Sequence, residues 1–326
     1  MTGAFTHHGG RLAEACARYG GTAQQWLDLS TGINPNSWAP PSGVAVDWHR
    51  LPEPEERIFL ETVAAHHFAC DPGLCAAVPG SETALRLLGR LIDLPNLHRP
   101  PCYGTYAAAF GRAIALTDFR DLPTRATTLI VGNPNNPDGK TLSRADLTAL
   151  LDHQQRQGGW LIVDEAFADC DPHGSVAGEV SQGRRLIVLR SFGKFFGLAG
   201  LRLGFVIAPC DLLAELRALL GDWPLHNAAL KLGRAAYADR AWITRTRASL
   251  AASAGQLDAL LARHGFRAQG DCPLFRLITS PDAPALFERM AQRRILTRPF
   301  AEWPQLLRIG LPADQEAFTQ LEQALA

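Results

Sequence analysis

The stretch that most constrains this chain is Ser191-Phe192-Gly193-Lys194-Phe195-Phe196-Gly197-Leu198-Ala199-Gly200-Leu201-Arg202-Leu203-Gly204-Phe205. One lysine stands there among aromatic residues and glycines, with a hydroxyl three positions before it and an arginine eight positions after it. Apolar surroundings disfavour an ammonium group, so they lower the lysine's pKa and free its amine to attack a carbonyl, as a Schiff-base lysine must. Ser191 and Arg202 suit a phosphate, because arginine offers a bidentate fork to a dianion and the hydroxyl adds a donor. Together the three residue types ask for an aldehyde that carries a phosphate. The competing reading is a buried loop whose lysine snorkels to solvent.

The rest of the chain supplies a frame for such a site. Its 326 residues, 47% of them hydrophobic, suffice for one large domain with its own core and a smaller one beside it. The 32 basic and 32 acidic side chains cancel, so no basic face advertises nucleic acid or an anionic membrane, and small molecules are the expected partners. Seven scattered cysteines, an odd number without a Cys-x-x-Cys pair, read as the reduced cysteines of a cytoplasmic protein. No stretch approaches the roughly 20 apolar residues of a membrane span, and Met1 to Arg11 lacks the apolar region of a signal peptide.

Periodicity and breakers give the expected elements. Helices are predicted over 12–19, 54–69, 81–92, 143–157, 212–220, 227–238, 241–264, 284–292 and 314–325, and strands over 76–78, 128–131, 160–164, 186–189, 204–209, 274–278 and 307–309. Ser143 to Asp146 reads as a capping box with Asp in place of Glu. Gly221-Asp222-Trp223-Pro224 breaks the pattern and marks a hinge. His66 and His67 close a helix, where a cation suits the dipole, and no partner stands at metal-ligand spacing. In the loop Gly132-Asn133-Pro134-Asn135-Asn136-Pro137-Asp138-Gly139, two Asn-Pro steps force a defined turn at a strand's C-terminal edge, where open α/β sheets collect ligands. Trp160-Leu161-Ile162-Val163-Asp164 ends a strand on a carboxylate at the same edge. Gly80 feeds a helix start whose free N–H groups could face a phosphate. Gly9-Gly10 could form a backbone nest for an anion between His8 and Arg11, or simply a flexible start.

In this order and spacing the motifs resemble the aminotransferase-like, fold-type I enzymes that use pyridoxal 5'-phosphate (PLP). The resemblance implies an α/β fold with a mostly parallel seven-stranded sheet in a large domain and a smaller C-terminal α/β domain. The implied division is an N-terminal arm over 1–50 that contributes to the small domain and active site, a PLP-binding domain over 51–221 and a small domain over 222–326. Lys194 would carry the cofactor aldehyde. Ser191, Arg202 and the backbone of Ser81 and Glu82 would hold its phosphate, and Asn136 would donate to its phenolic oxygen. Tyr103 would stack on its ring, unless it is an ordinary core tyrosine. Asp164 would pair with the ring nitrogen, keeping the ring cationic as an electron sink.

The His8-Gly9-Gly10 run followed by W-L-D-x-S-x-x-I-N-P, Trp26 to Pro35, resembles one branch, the threonine-phosphate decarboxylases of cobalamin biosynthesis, whose close relatives are the histidinol-phosphate aminotransferases. That branch implies a phosphorylated amino acid as substrate, with His8, Gly9, Arg11 and Asn34 among its ligands and Arg308 gripping the α-carboxylate. Arg298 is a second candidate anion ligand or, equally, a surface-loop arginine. The reaction expected is decarboxylation of L-threonine O-3-phosphate. Amino transfer is the rival, and a silent regulator of the same fold, which usually carries a DNA-binding domain, is a third reading. Relatives work as homodimers. Two departures stand out: Phe167 replaces a tyrosine common in relatives, and Leu51 replaces a tyrosine that in the aminotransferases reaches the partner subunit's phosphate. The second speaks for the decarboxylase branch.

Overall fold

The computed structural model describes residues 5–42 and 44–326. From the N-terminus the chain forms α1 (Leu12–Tyr19), β1 (Leu27–Asp28), α2 (Pro54–Phe68), β2 (Cys75–Val78), α3 (Ser81–Leu91), β3 (Asn96–His98), α4 (Thr105–Ala108) and β4 (Ala113–Ala115). There follow β5 (Thr128–Gly132), α5 (Arg144–Arg156), β6 (Trp160–Asp164), β7 (Leu186–Ser191), α6 (Phe192–Phe195), β8 (Gly204–Ile207) and α7 (Cys210–Leu220). Then come α8 (Asn227–Ala238), α9 (Arg240–Arg263), β9 (Phe275–Thr279), α10 (Ala283–Gln292), β10 (Ile295–Leu296), β11 (Arg298–Pro299), β12 (Leu306–Gly310) and α11 (Gln315–Leu325). The capping box at α5 forms as expected, Ser143 and Asp146 each accepting the other's backbone N–H.

Two compact units result, a larger one of residues 37–136 and 141–244 and a smaller one of residues up to 36, 137–140 and 245–326. The divisions therefore fall elsewhere than after residues 50 and 221. Asn227 Nδ2 donates to the carbonyls of Asp47 and Arg50, each at 2.7 Å, which ties both the 37–50 segment and α8 into the larger unit. Tyr237 of α8 is buried there against the rings of Phe68, Phe192, Phe196 and Phe205. The Gly221–Pro224 break ends a helix without ending the unit.

The larger unit carries a seven-stranded sheet in the order β2-β8-β7-β6-β5-β3-β4. Only β8 runs against the others, pairing antiparallel with β2 and β7. Parallel strands covered on both faces read as continuous apolar runs, and Leu129-Ile130-Val131, Leu161-Ile162-Val163 and Ile187-Val188-Leu189 are all buried. On one face α3 and α7 set Leu85, Leu88, Leu213 and Leu216 against Ile130, Ile162 and Leu189. In the smaller unit β11-β12-β9 form an antiparallel sheet and β1 pairs parallel with β10. Phe275, Ile278, Phe287, Met290, Ile309 and Leu321 fill its core. No helix among the described residues is long and apolar enough to cross a membrane.

Candidate active site

Strands β5, β6 and β7 run side by side, with Gly132 in register with Asp164 and Asp164 in register with Leu189. Their C-terminal edges thus bring three sequence-distant segments together, the asparagine loop, the Asp164 corner and the lysine loop. At this edge lies a cavity of about 150 Å³, room for one six-membered aromatic ring. All eight residues expected to hold the cofactor line it: Ser81, Glu82, Tyr103, Asn136, Asp164, Ser191, Lys194 and Arg202.

Asp164 is buried at the cavity wall. One carboxylate oxygen accepts the Tyr106 hydroxyl at 2.9 Å and the other accepts the Ala166 N–H at 3.1 Å. Burial pushes its pKa up to about 6, against the Tyr106 hydrogen bond, the Ala166 N–H and the Lys194 charge. Tyr106 is a site residue that sequence reasoning missed. Its only local signal was a second tyrosine three places after Tyr103, while its partner lies 58 residues on.

Lys194 sits on the short α6, half-buried, its Nζ 5.8 Å from the centre of the Phe167 ring. The aromatic residues around it anchor the loop. Phe196 stacks between Phe192 and Trp242 at 4.5 and 5.5 Å, and Phe195 meets Trp242 edge-on. Tyr103 is half-buried, lining the cavity and packed against the core beneath it, its hydroxyl donating to Glu82 Oε2 at 2.8 Å. Glu82 therefore positions the tyrosine with its side chain as well as offering a helix-start amide.

At the other end of the cavity, Gly80 precedes α3 with φ 90°, a left-handed conformation that favours glycine. A Cβ there would stand 2.8 Å from Arg202 Nη2, so the missing side chain lets the guanidinium lie against the helix start. Arg202 itself has φ 52°, strain of the kind that clusters at functional sites. Helix-start amides, a guanidinium and the Ser191 hydroxyl form a cradle for a dianion. With Lys194 for an aldehyde and a buried carboxylate for a ring nitrogen, the donor set fits PLP. Among the described residues no cluster of three His, Cys, Asp or Glu could hold a metal ion.

Behind Asp164 lies a second network without a local sequence signal. Arg190, buried on β7, bridges Glu165 at 2.7 Å and Asp169, and His67 Nε2 meets Asp169 Oδ1 at 3.1 Å. His67 thus belongs to a buried ion network as well as to a helix end.

The residues expected to bind substrate lie in the smaller unit. Arg298 and Arg308 stand directly opposite each other on β11 and β12, both buried, so the surface-loop reading of Arg298 is wrong: the segment is a strand. Like charges so placed are unfavourable unless carbonyls or an anion answer them. Arg298 donates to the carbonyls of Phe5 and His7, and Arg308 Nη2 to that of Ser30 at 2.8 Å. Burial, and next the Arg298 charge, push the Arg308 pKa down to about 10. A Cβ on Gly9 would stand 2.3 Å from the Ser30 carbonyl oxygen, and the Gly10 N–H donates to Ser30 Oγ at 2.7 Å. That amide is engaged within the protein, so Gly9-Gly10 serves here to dock the N-terminal segment on the Asp28–Ser30 corner rather than as an open nest. His8 and Arg11 are exposed, and buried Asn34 accepts the Asn36 N–H at 3.0 Å.

The profile of class I and II aminotransferases matches residues 111–325, and the chain belongs to that family of PLP-dependent enzymes. Within it, the chain is 42% identical to a threonine-phosphate decarboxylase from a Sinorhizobium species, over 98% of this chain and 97% of the relative. It is 40% identical to the threonine-phosphate decarboxylase of Pseudomonas aeruginosa, over 98% and 96%. Among solved structures, the histidinol-phosphate aminotransferase of Sinorhizobium meliloti in complex with pyridoxal 5'-phosphate aligns with a TM-score of 0.80 over 96% of this chain and 92% of that one, at 20% identity. That likeness speaks for the fold.

Proposed function

We propose that the protein is a PLP-dependent carboxy-lyase that converts L-threonine O-3-phosphate to (R)-1-aminopropan-2-ol phosphate for cobalamin synthesis. The observation that carries this reading is identity of 40–42% to threonine-phosphate decarboxylases over nearly the whole chain. When bound, PLP supplies the sink for the electron pair left behind by the departing carboxylate. Asp164 would hold a negative charge against the ring nitrogen. Arg202, Ser191 and the amides of Ser81 and Glu82 would hold the phosphate, Tyr103 would lie against the ring, and Asn136 would donate to the phenolic oxygen. Phe167 has no hydroxyl, which leaves Asn136 as the donor there. The Lys194 amine would retain the cofactor between turnovers and serve as the base that returns a proton to the substrate carbon. Arg308 takes the substrate carboxylate. Arg298, His8, Arg11 and Asn34 complete the recognition of the phosphorylated amino acid, on a segment that Gly9 docks against Ser30.

The protein acts as a homodimer in the cytoplasm. Its larger unit exposes Trp48, Leu51, Phe59 and Trp223, each more than half accessible, apolar side chains that a second subunit would cover. No disulfide joins any of the seven cysteines. Leu51 offers no hydroxyl for a partner's phosphate, which favours the decarboxylase over a histidinol-phosphate aminotransferase. The deciding experiment is product analysis: threonine phosphate and PLP should yield carbon dioxide and aminopropanol phosphate without a keto acid. An absolute requirement for 2-oxoglutarate, with glutamate formed, would establish the aminotransferase instead.

A further inference from the structure

Tyr106 is 2% exposed and held from several sides. Its backbone carbonyl accepts from the buried Asn96 side chain, and its ring meets Tyr103 edge-on at 5.7 Å. Its hydroxyl fills a notch on β5: a Cβ on Gly132 would stand 3.0 Å from that oxygen. Gly132 is the residue in register with Asp164. The bare glycine thus leaves the space through which the phenol reaches the carboxylate at 2.9 Å. Both side chains line the cavity, so the contact is part of the site wall.

We propose that Tyr106 is a positioning residue that keeps Asp164 ionised and fixed toward the cavity, and so sets the lower pH limit for PLP uptake. The inference rests on the reading of Asp164 as the partner of the ring nitrogen. A phenol can donate to a carboxylate but leaves a protonated carboxyl little better off, so the contact favours the anion. Burial, and next the Asp164 charge, keep the Tyr106 pKa well above its ordinary value, so the hydroxyl stays a donor across the working range. The other charged or titratable groups facing Asp164 are Lys194, which favours the anion, and Glu165 and Tyr103, whose negative forms oppose it. Of the groups that favour the anion, the Ala166 N–H is fixed backbone and Lys194 is the residue assigned to the cofactor. Tyr106 is therefore the side chain whose removal isolates the effect.

The test is PLP affinity as a function of pH, measured by equilibrium dialysis without substrate, so that it does not depend on which reaction the enzyme performs. Wild-type affinity should fall on the acid side as Asp164 takes up a proton. In Tyr106→Phe, which keeps the ring, that acid limb should move up by about one pH unit, while affinity well above it changes little. Gly132→Ala presses on the same hydroxyl from the strand and should move the limb in the same direction, which decides the matter if Tyr106→Phe does not fold. Asp164→Asn should abolish the limb. A limb unmoved in Tyr106→Phe overturns the role of Tyr106 alone, whereas a limb retained in Asp164→Asn overturns the assignment of Asp164 and the proposal with it.

Discussion

Asp164 and Asp169 lie five residues apart and both are buried, yet their pKa values move in opposite directions. Asp164 is raised because burial outweighs a phenol, an amide and one lysine charge. Asp169 is held well below the usual range because Arg190 and His67 outweigh the same burial. A carboxyl whose folded pKa is raised binds its proton more tightly in the folded chain, so it stabilises below the unfolded pKa near 4 and loses that contribution as pH rises toward 6. The cofactor-free protein should therefore become less stable between about pH 4 and 6. Asp164→Asn should flatten this slope and gain stability on the order of 3 kcal/mol at neutral pH, read by urea unfolding at each pH, while losing most turnover. A wild-type slope left intact in the variant would show that another group titrates there. The lysine has its own check. Borohydride reduction in the presence of PLP should label the peptide holding Lys194, and label on Lys140 or Lys231 would reject the assignment.

Long elements were legible because their signals are local. The apolar runs of β5, β6 and β7, the capping box of α5 and the breaks around α8 all lie within a few residues of the structure they specify. Strands β3 and β4, of three residues each, and the two-residue β1, β10 and β11 carry no period long enough to read. They exist because a neighbouring strand pairs with them. The site divides in the same way. The eight residues that meet at the cavity could be picked out because each sits in a spaced motif, whereas the Tyr106–Asp164 and Arg190–Glu165–Asp169 contacts join elements 21 to 58 residues apart. The Arg190 network links the end of β7 to the turn after β6, the two edges that present Ser191 and Asp164. Arg190→Met should cost about 3–5 kcal/mol in thermal or denaturant unfolding, because it strands two buried carboxylates. Adding Glu165→Gln and Asp169→Asn should recover part of the loss. A single variant as stable as wild type would mean that the network is not held closed in solution.

At the scale of the whole molecule, the proposed substrate carries two anions, and the smaller unit holds the arginines expected to meet them, Arg11 exposed and Arg298 and Arg308 buried. There the N-terminal segment is fixed by its backbone: Gly9 lies against the Ser30 carbonyl, Gly10 donates to Ser30 Oγ, and Arg298 holds the carbonyls of Phe5 and His7. This leaves the side chains of His8 and Arg11 exposed on a docked backbone. Under the proposed function they grip the phosphate of threonine phosphate while Arg308 takes its carboxylate. With both ends anchored, only rotation about the N–Cα bond decides which bond breaks. Energy from the non-reacting phosphate then fixes that rotation, so losing the grip should lower turnover as well as affinity. Deleting residues 1–11 would also free the Arg298 donors, so the cleaner variant is His8→Ala with Arg11→Ala, which keeps the backbone contacts. Loss of charge-assisted hydrogen bonds of about 1.5–3 kcal/mol should lower kcat/KM for threonine phosphate by about 10- to 100-fold. Activity on free threonine, which has no phosphate to grip, should be weak and should hardly change. Equal losses on both substrates would mean that the N-terminal segment serves the fold rather than the phosphate.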